Sequence, residues 1–252
     1  MQPIVQHPLY VFIVSLVVLW VAMWFGGSIL SRRRPVNKDV QTDFSVIQNT
    51  VLTMLGLIIG FTFSMAIGRY DQRKTLEEGE ANAIGTEYVR ADLLPAVNAA
   101  AVRLLLKEYL ENRIQNYIAD ETELGPIDQR ATALQNKLWA EVAQVAVVQQ
   151  TPINALAAAG MNDVLNAQGY AQAASLNRIP RAAWMLLFGM AISANLLVGY
   201  GAHSFKSHQA IFFVLPFVVS LAFYMIADID SPRGGMIRVV PQNLQILLES
   251  MP

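Results

Sequence analysis

Two carboxylates, Asp228 and Asp230, stand two residues apart in "DIDSPRGGM", directly after a long apolar run. Carboxylates this close can hold a calcium ion or share a proton as a general acid–base pair. A calcium ion takes about six to eight oxygen ligands, more than this stretch supplies. An acid–base pair needs a substrate pocket, and the chain offers no nucleophile–histidine pair, metal cluster or glycine-rich phosphate loop to complete one. The pair therefore reads as structural. One carboxylate caps the chain or pairs with a base, and Arg69 and Arg73, at the end of another apolar run, are the candidate partners.

Other chemistry is scarce. There is no cysteine, which excludes disulfides, thiolate metal sites and cysteine nucleophiles. The three histidines, His7, His203 and His208, show no metal-ligand spacing such as H-x-x-x-H. No metal, cofactor or enzymatic activity is expected. With a formal net charge of −1 there is no basic footprint for nucleic acid.

The elements that must position these residues are mostly apolar. Four stretches can cross a hydrocarbon core, which takes about 20 helical residues. They run from about Leu9 to Leu30, Ser45 to Gly68, Ala182 to Ala202 and Gln209 to Ala227. The first lacks a basic n-region and a small-residue cleavage site, so it reads as a retained span rather than a signal peptide. Asn49 and Asn195 are polar groups at membrane depth, expected to hydrogen-bond between helices or to face a pore. Pro216 lies inside the fourth span and predicts a kink there.

Between the two pairs of spans lies a polar segment with helical periodicity. Val102, Leu106, Leu110, Ile114 and Tyr117 make one stripe over 99–120, and "ELGPID" interrupts it. Leu134, Leu138, Val142 and Val145 make a second stripe ending near Gln149. In "TPINALAAAG", Thr151 is a helix N-cap and Pro152 the first helical residue of a third helix ending near Leu176. Only "MIRVV", 236–240, looks extended.

The fold class is thus an all-α integral membrane protein: four transmembrane helices with a helical extramembrane insert. The expected divisions are a first transmembrane pair in 1–68, an insert in 69–181, a second pair in 182–227 and a tail in 228–252 that packs on the insert. Charge does not orient the chain. Arg32, Arg33, Arg34 and Lys38 lie on one side, while Arg69, Arg73, Lys74, Arg178, Arg181, Arg233 and Arg238 lie on the other.

The second span leaves its apolar stretch with no turn signal. "LIIGFTFSMAIGRYDQRK" passes from apolar to densely charged without a proline. This stretch resembles the second membrane helix of bestrophins, with Gly60-Phe61 at the end of a hydrophobic pore neck and Arg69-Tyr70 opening a charged helix. "DIDSPRGGM" followed by "VPQNLQILLES" is similar to the acidic-x-acidic-x-proline motif and helix after their last span. Together "GFTFSMAIGRYDQR", "EANAIGT" and "DIDSPRGG", from Gly60, Glu80 and Asp228, mark a resemblance to bestrophin-like membrane proteins over nearly the full length.

The resemblance implies a homo-oligomer, a pentamer, in a bacterial inner membrane, with the insert in the cytoplasm. It implies an ion channel passing inorganic anions, with membrane lipid and further copies of the chain as its other partners. Thr53, Leu57 and Phe61, spaced by four, would share one helix face and form the neck. Thr53 departs from the apolar residue usual in bestrophins, and its hydroxyl would wet one end of the neck. Arg69, Tyr70, Arg73, Asp228, Asp230 and Pro232 would support the pore helix against the tail. Asn82 and Glu87, in "EANAIGTEY", either line a vestibule or belong to tight helix packing. A competing expectation is a membrane-anchored helical interaction or sensing module without transport.

Overall fold

The computed structural model describes residues 7–33, 41–202, 205 and 209–252. Among these there is no strand, so "MIRVV" runs as irregular backbone with no ladder to join. The helices are α1 (Pro8–Phe25), α2 (Gln41–Arg90), α3 (Ala96–Ile118), α4 (Leu124–Val148), α5 (Pro152–Leu176), α6 (Arg181–Gly201), α7 (Gln209–Asp230) and α8 (Gln242–Ser250). Helix α1 continues through a π-helical stretch, Gly26–Leu30, and a last turn, Ser31–Arg33. Windows long and apolar enough to cross a membrane occur in Pro8–Leu30, Gln41–Leu93, Pro152–Gly201 and Gln209–Asp230. The chain divides into two compact units, 1–69 with 178–238 and 70–177 with 239–252.

The first unit holds the spans. Helix α1 buries Val11, Ser15, Leu19 and Met23, a stripe spaced by four, and packs against α6 and α7. Lipid tails are as apolar as leucine, so close backbone approach must replace the hydrophobic drive between such helices. Gly26 and Gly199 provide it: a Cβ at Gly26 would collide with the Leu196 carbonyl, and one at Gly199 with the Met23 carbonyl. Edge-on ring contacts, Phe12 with Phe217 at 6.0 Å and Phe188 with Phe223 at 5.0 Å, fill the rest. Asn195 is buried, but its amide donates to the Ala191 carbonyl of its own helix at 2.8 Å, not to a neighbouring span. That local bond satisfies a donor wherever the helix lies.

The second unit is the insert. Its core joins Ile84 of α2 to Val102, Leu106 and Leu110 of α3, Leu134, Leu138 and Val142 of α4, Met161 and Val164 of α5, and Leu244 of α8. The α3 and α4 members are the stripe positions that the periodicity predicts, because one apolar face per helix is what a bundle buries. Helix α3 begins three residues before the predicted stripe, at Ala96, after Pro95. Helix α4 begins at Leu124 and carries Gly125 and Pro126 in its first turn, where a missing N–H costs no helical bond. Thr151 caps α5, its hydroxyl oxygen accepting the Asn154 N–H at 3.2 Å.

Candidate functional site

Helix α2 runs unbroken for 50 residues, from Gln41 to Arg90. Its first half is the least covered of the spans. Only 17% of its apolar window is buried, against 28% for Pro8–Leu30 and 33% for each of the other two. In that half Leu55, Thr62 and Ala66 are buried. At 3.6 residues per turn they fall on one side, and positions 53, 57 and 61 lie within about 80° of arc on the other. Leu57 is 51% exposed and Phe61 65%. Thr53 is also exposed, and its hydroxyl donates to the Asn49 carbonyl at 2.8 Å, leaving the oxygen's lone pairs outward. The face is not uniformly apolar: Thr50, Gly56, Gly60 and Ser64 are exposed beside these three.

Arg69 and Tyr70 follow, both half-buried, and Arg73 is buried. Asp228 takes the capping alternative. Both its oxygens are taken by backbone amides, Oδ1 accepting from Met236 at 2.7 Å and Oδ2 from Ile237 at 2.9 Å. The carboxylate thus closes the loop after α7, one of the two roles that the sequence left open. Gly235 is required there because a side chain would collide with the Asp228 carbonyl. Asp230 accepts the Ile179 N–H, at 3.1 Å and 3.2 Å to its two oxygens, and Arg178 donates to its backbone carbonyl at 3.2 Å. Ser231 accepts the Gly234 N–H at 2.9 Å, with Pro232 half-buried between them. The two carboxylates therefore hold the two chain segments that flank α6 and α7. No group of three or more potential metal-ligating side chains occurs among the described residues.

The second half of α2 buries carboxylates that the sequence reading left in its charged stretch. Glu77 accepts the backbone N–H of Leu244 at 3.0 Å and the side-chain amide of Asn243 at 2.7 Å. Glu80 accepts Arg113 Nε and, at 3.2 Å, the Tyr117 hydroxyl. Burial works against the Arg113 cation, but the Glu80 charge beside it raises its pKa overall. Burial and then Glu80 push the Tyr117 phenol up, so it stays a donor. The available signal was the spacing: 73, 77, 80, 84 and 87 recur every three or four residues, with Ile84 in register among the charges.

Asn82 is exposed, while Glu87 is 0% exposed, so these two neighbours in one motif face different surroundings. Neither oxygen of Glu87 has a hydrogen-bond partner among the described residues. Burial pushes its carboxyl up to about 7; Arg90 opposes the shift and Asp163 adds to it.

The sequence matches the family described as Bestrophin-like domain over residues 13–244. No curated protein matches it. Among solved structures, a mutant of a bacterial Bestrophin homolog from Klebsiella pneumoniae aligns with TM-score 0.63 at 13% identity, covering 95% of this chain and 97% of that one. Another structure of that homolog gives 0.60 at 15%, covering 97% and 99%. A structure described only as a membrane protein variant gives 0.61 at 14%, covering 96% and 94%. At these identities the likeness is one of fold.

Proposed function

Since this chain belongs to the Bestrophin-like family and is an integral membrane protein, we propose that it assembles into a homo-oligomeric ion channel. The oligomer is a pentamer, and the exposed face of α2 lines its axis.

The observation that supports this reading is the composition of that face. A helix surface turned to lipid is predominantly apolar, because hydrocarbon offers polar groups no partners beyond the helix itself. The α2 face of the first unit instead carries Thr50, Thr53 and Ser64 around Leu57 and Phe61, and the part of α2 in the second unit exposes Asp71, Thr75, Glu78 and Asn82. Polar ends around a short apolar centre suit a water-filled path with a hydrophobic constriction that gates by dewetting. Thr53, Leu57 and Phe61 form the neck, Arg69, Tyr70 and Arg73 support the pore helix, and Asn82 lines the vestibule. Asp228 closes the loop after α7, to which Pro232 belongs, and Asp230 holds the segment before α6. Glu87, buried within its own subunit, has no part in the lining.

The permeant species are inorganic anions, which the weakly positive edges of phenylalanine rings tolerate. Asp71 and Glu78 oppose this on electrostatic grounds, so sodium and potassium belong in the assay beside chloride and nitrate. The membrane is a bacterial inner membrane, the insert is cytoplasmic, and no enzymatic activity is assigned. A membrane-anchored interaction module is the second reading. The apolar residues exposed on the insert favour it, among them Val147, Val148, Ile153 and Leu176.

Native mass spectrometry followed by ion flux in liposomes tests the proposal. A pentamer with flux supports it. A monomer, or an intact oligomer passing none of the four ions, turns the reading to the interaction module.

A further inference from the structure

The insert contains a titratable group that the channel reading does not use. Glu87 and Arg90 stand three residues apart on the last turns of α2, close enough to pair on one helix face. They do not pair: Arg90 Nη1 lies 3.8 Å from Asp163 of α5, and Glu87 is left without a hydrogen bond in the interior. Gly160 of α5 makes room for this arrangement. A Cβ there would collide with the Glu87 carboxyl and with the Arg90 guanidinium. Arg90 is 28% exposed and Asp163 68%, so the pair they form is partly solvated while Glu87 is not.

We propose that Glu87, Arg90 and Asp163 form a proton-operated latch between α2 and α5. With Glu87 protonated, Arg90 serves Asp163 and ties α2 to α5. When Glu87 releases its proton to solvent, the buried anion draws Arg90 to itself and Asp163 is freed. An ionised carboxylate without a partner is too costly to keep in an apolar core. The charges bearing on Glu87 are Arg90 on its own helix and Asp163 on the facing one. The neighbouring Arg103 of α3 is already engaged by Asp92.

The elevated Glu87 pKa places this event near neutral pH and fixes its sign. A carboxyl whose pKa rises on folding binds more protons in the folded state. Its stabilisation is present below its ordinary pKa and is lost as pH rises through about 7.

The test is thermal unfolding of the full-length purified protein over about pH 5 to about pH 8.5. The native chain should lose a few degrees in Tm as pH rises from about 5 to about 7 and level off above. Glu87→Gln should remove that slope. Asp163→Asn, at an exposed position, should move the transition to lower pH, because Arg90 is then free to serve Glu87. A Glu87→Gln variant with the native slope would overturn the proposal, as would an unshifted transition in Asp163→Asn. If Glu87→Gln does not fold, Asp163→Asn decides alone. The readout is stability rather than flux, so either result leaves the channel reading standing.

Discussion

The Glu77 carboxylate accepts the backbone N–H of Leu244 at 3.0 Å, across 167 residues of sequence. Helix α8 starts after Pro241, which makes no capping hydrogen bond. A helix N-terminus leaves free N–H groups and a partial positive charge. Glu77 supplies from α2 the acceptor that the tail's own sequence lacks, and Asn243 adds a second bond to the same carboxylate.

Glu77→Ala should therefore loosen the tail by about 1–3 kcal/mol, the range for a lost cap and an unsatisfied buried donor. Hydrogen exchange would localise the effect: amides of 242–250 should lose protection before those of α4. Unchanged protection in α8 would show that Leu244 packing alone holds it.

The Glu80–Arg113 pair is 0% and 4% exposed at its side chains. Arg113→Met strands a buried carboxylate, and a loss of about 3–5 kcal/mol in thermal or denaturant unfolding is expected. The double change Glu80→Leu with Arg113→Met should recover most of it, because two apolar residues need no ionic partner. A double variant as unstable as the single one would mean that packing, not charge, governs the site.

Leu57 and Phe61 are exposed in the subunit, whereas Leu55 on the opposite side of α2 is 2% exposed. Truncation of both exposed residues to alanine should leave the subunit fold intact and increase ion flux in liposomes by widening the neck. Leu55→Ala should instead open a cavity and cost roughly 2–5 kcal/mol. A folded Leu57→Ala, Phe61→Ala oligomer with no gain in flux would remove the neck from the proposal.

The absence of cysteine makes orientation directly measurable. Thr42→Cys and Glu123→Cys place single thiols at exposed positions, one in each unit. An impermeant thiol reagent should label the first in intact cells and the second only after permeabilisation. The reverse pattern would put the insert outside.

The sequence by itself determined the four spans, the helical stripes of the insert and the Thr151 cap, because each depends on residues within a few turns of one another. Hydropathy, a period of 3.6 and a capping side chain need no knowledge of what lies across the fold. Its motifs also pointed to the family. Only the tertiary structure decided the fate of the charges. Glu77, Glu80 and Glu87 lie in a run that also holds Glu78, and local pattern alone did not separate the buried members from the exposed one. What separates them lies far along the chain: Leu244 and Arg113 bond Glu77 and Glu80, and Gly160 leaves room for a Glu87 without a partner. For Asp228 the sequence left a cap and a base as alternatives, and the fold chose main-chain amides, which every residue but proline carries. A charge is stable in the interior only where long-range packing brings it a counter-charge, a donor or a proton. That condition belongs to the folded chain as a whole.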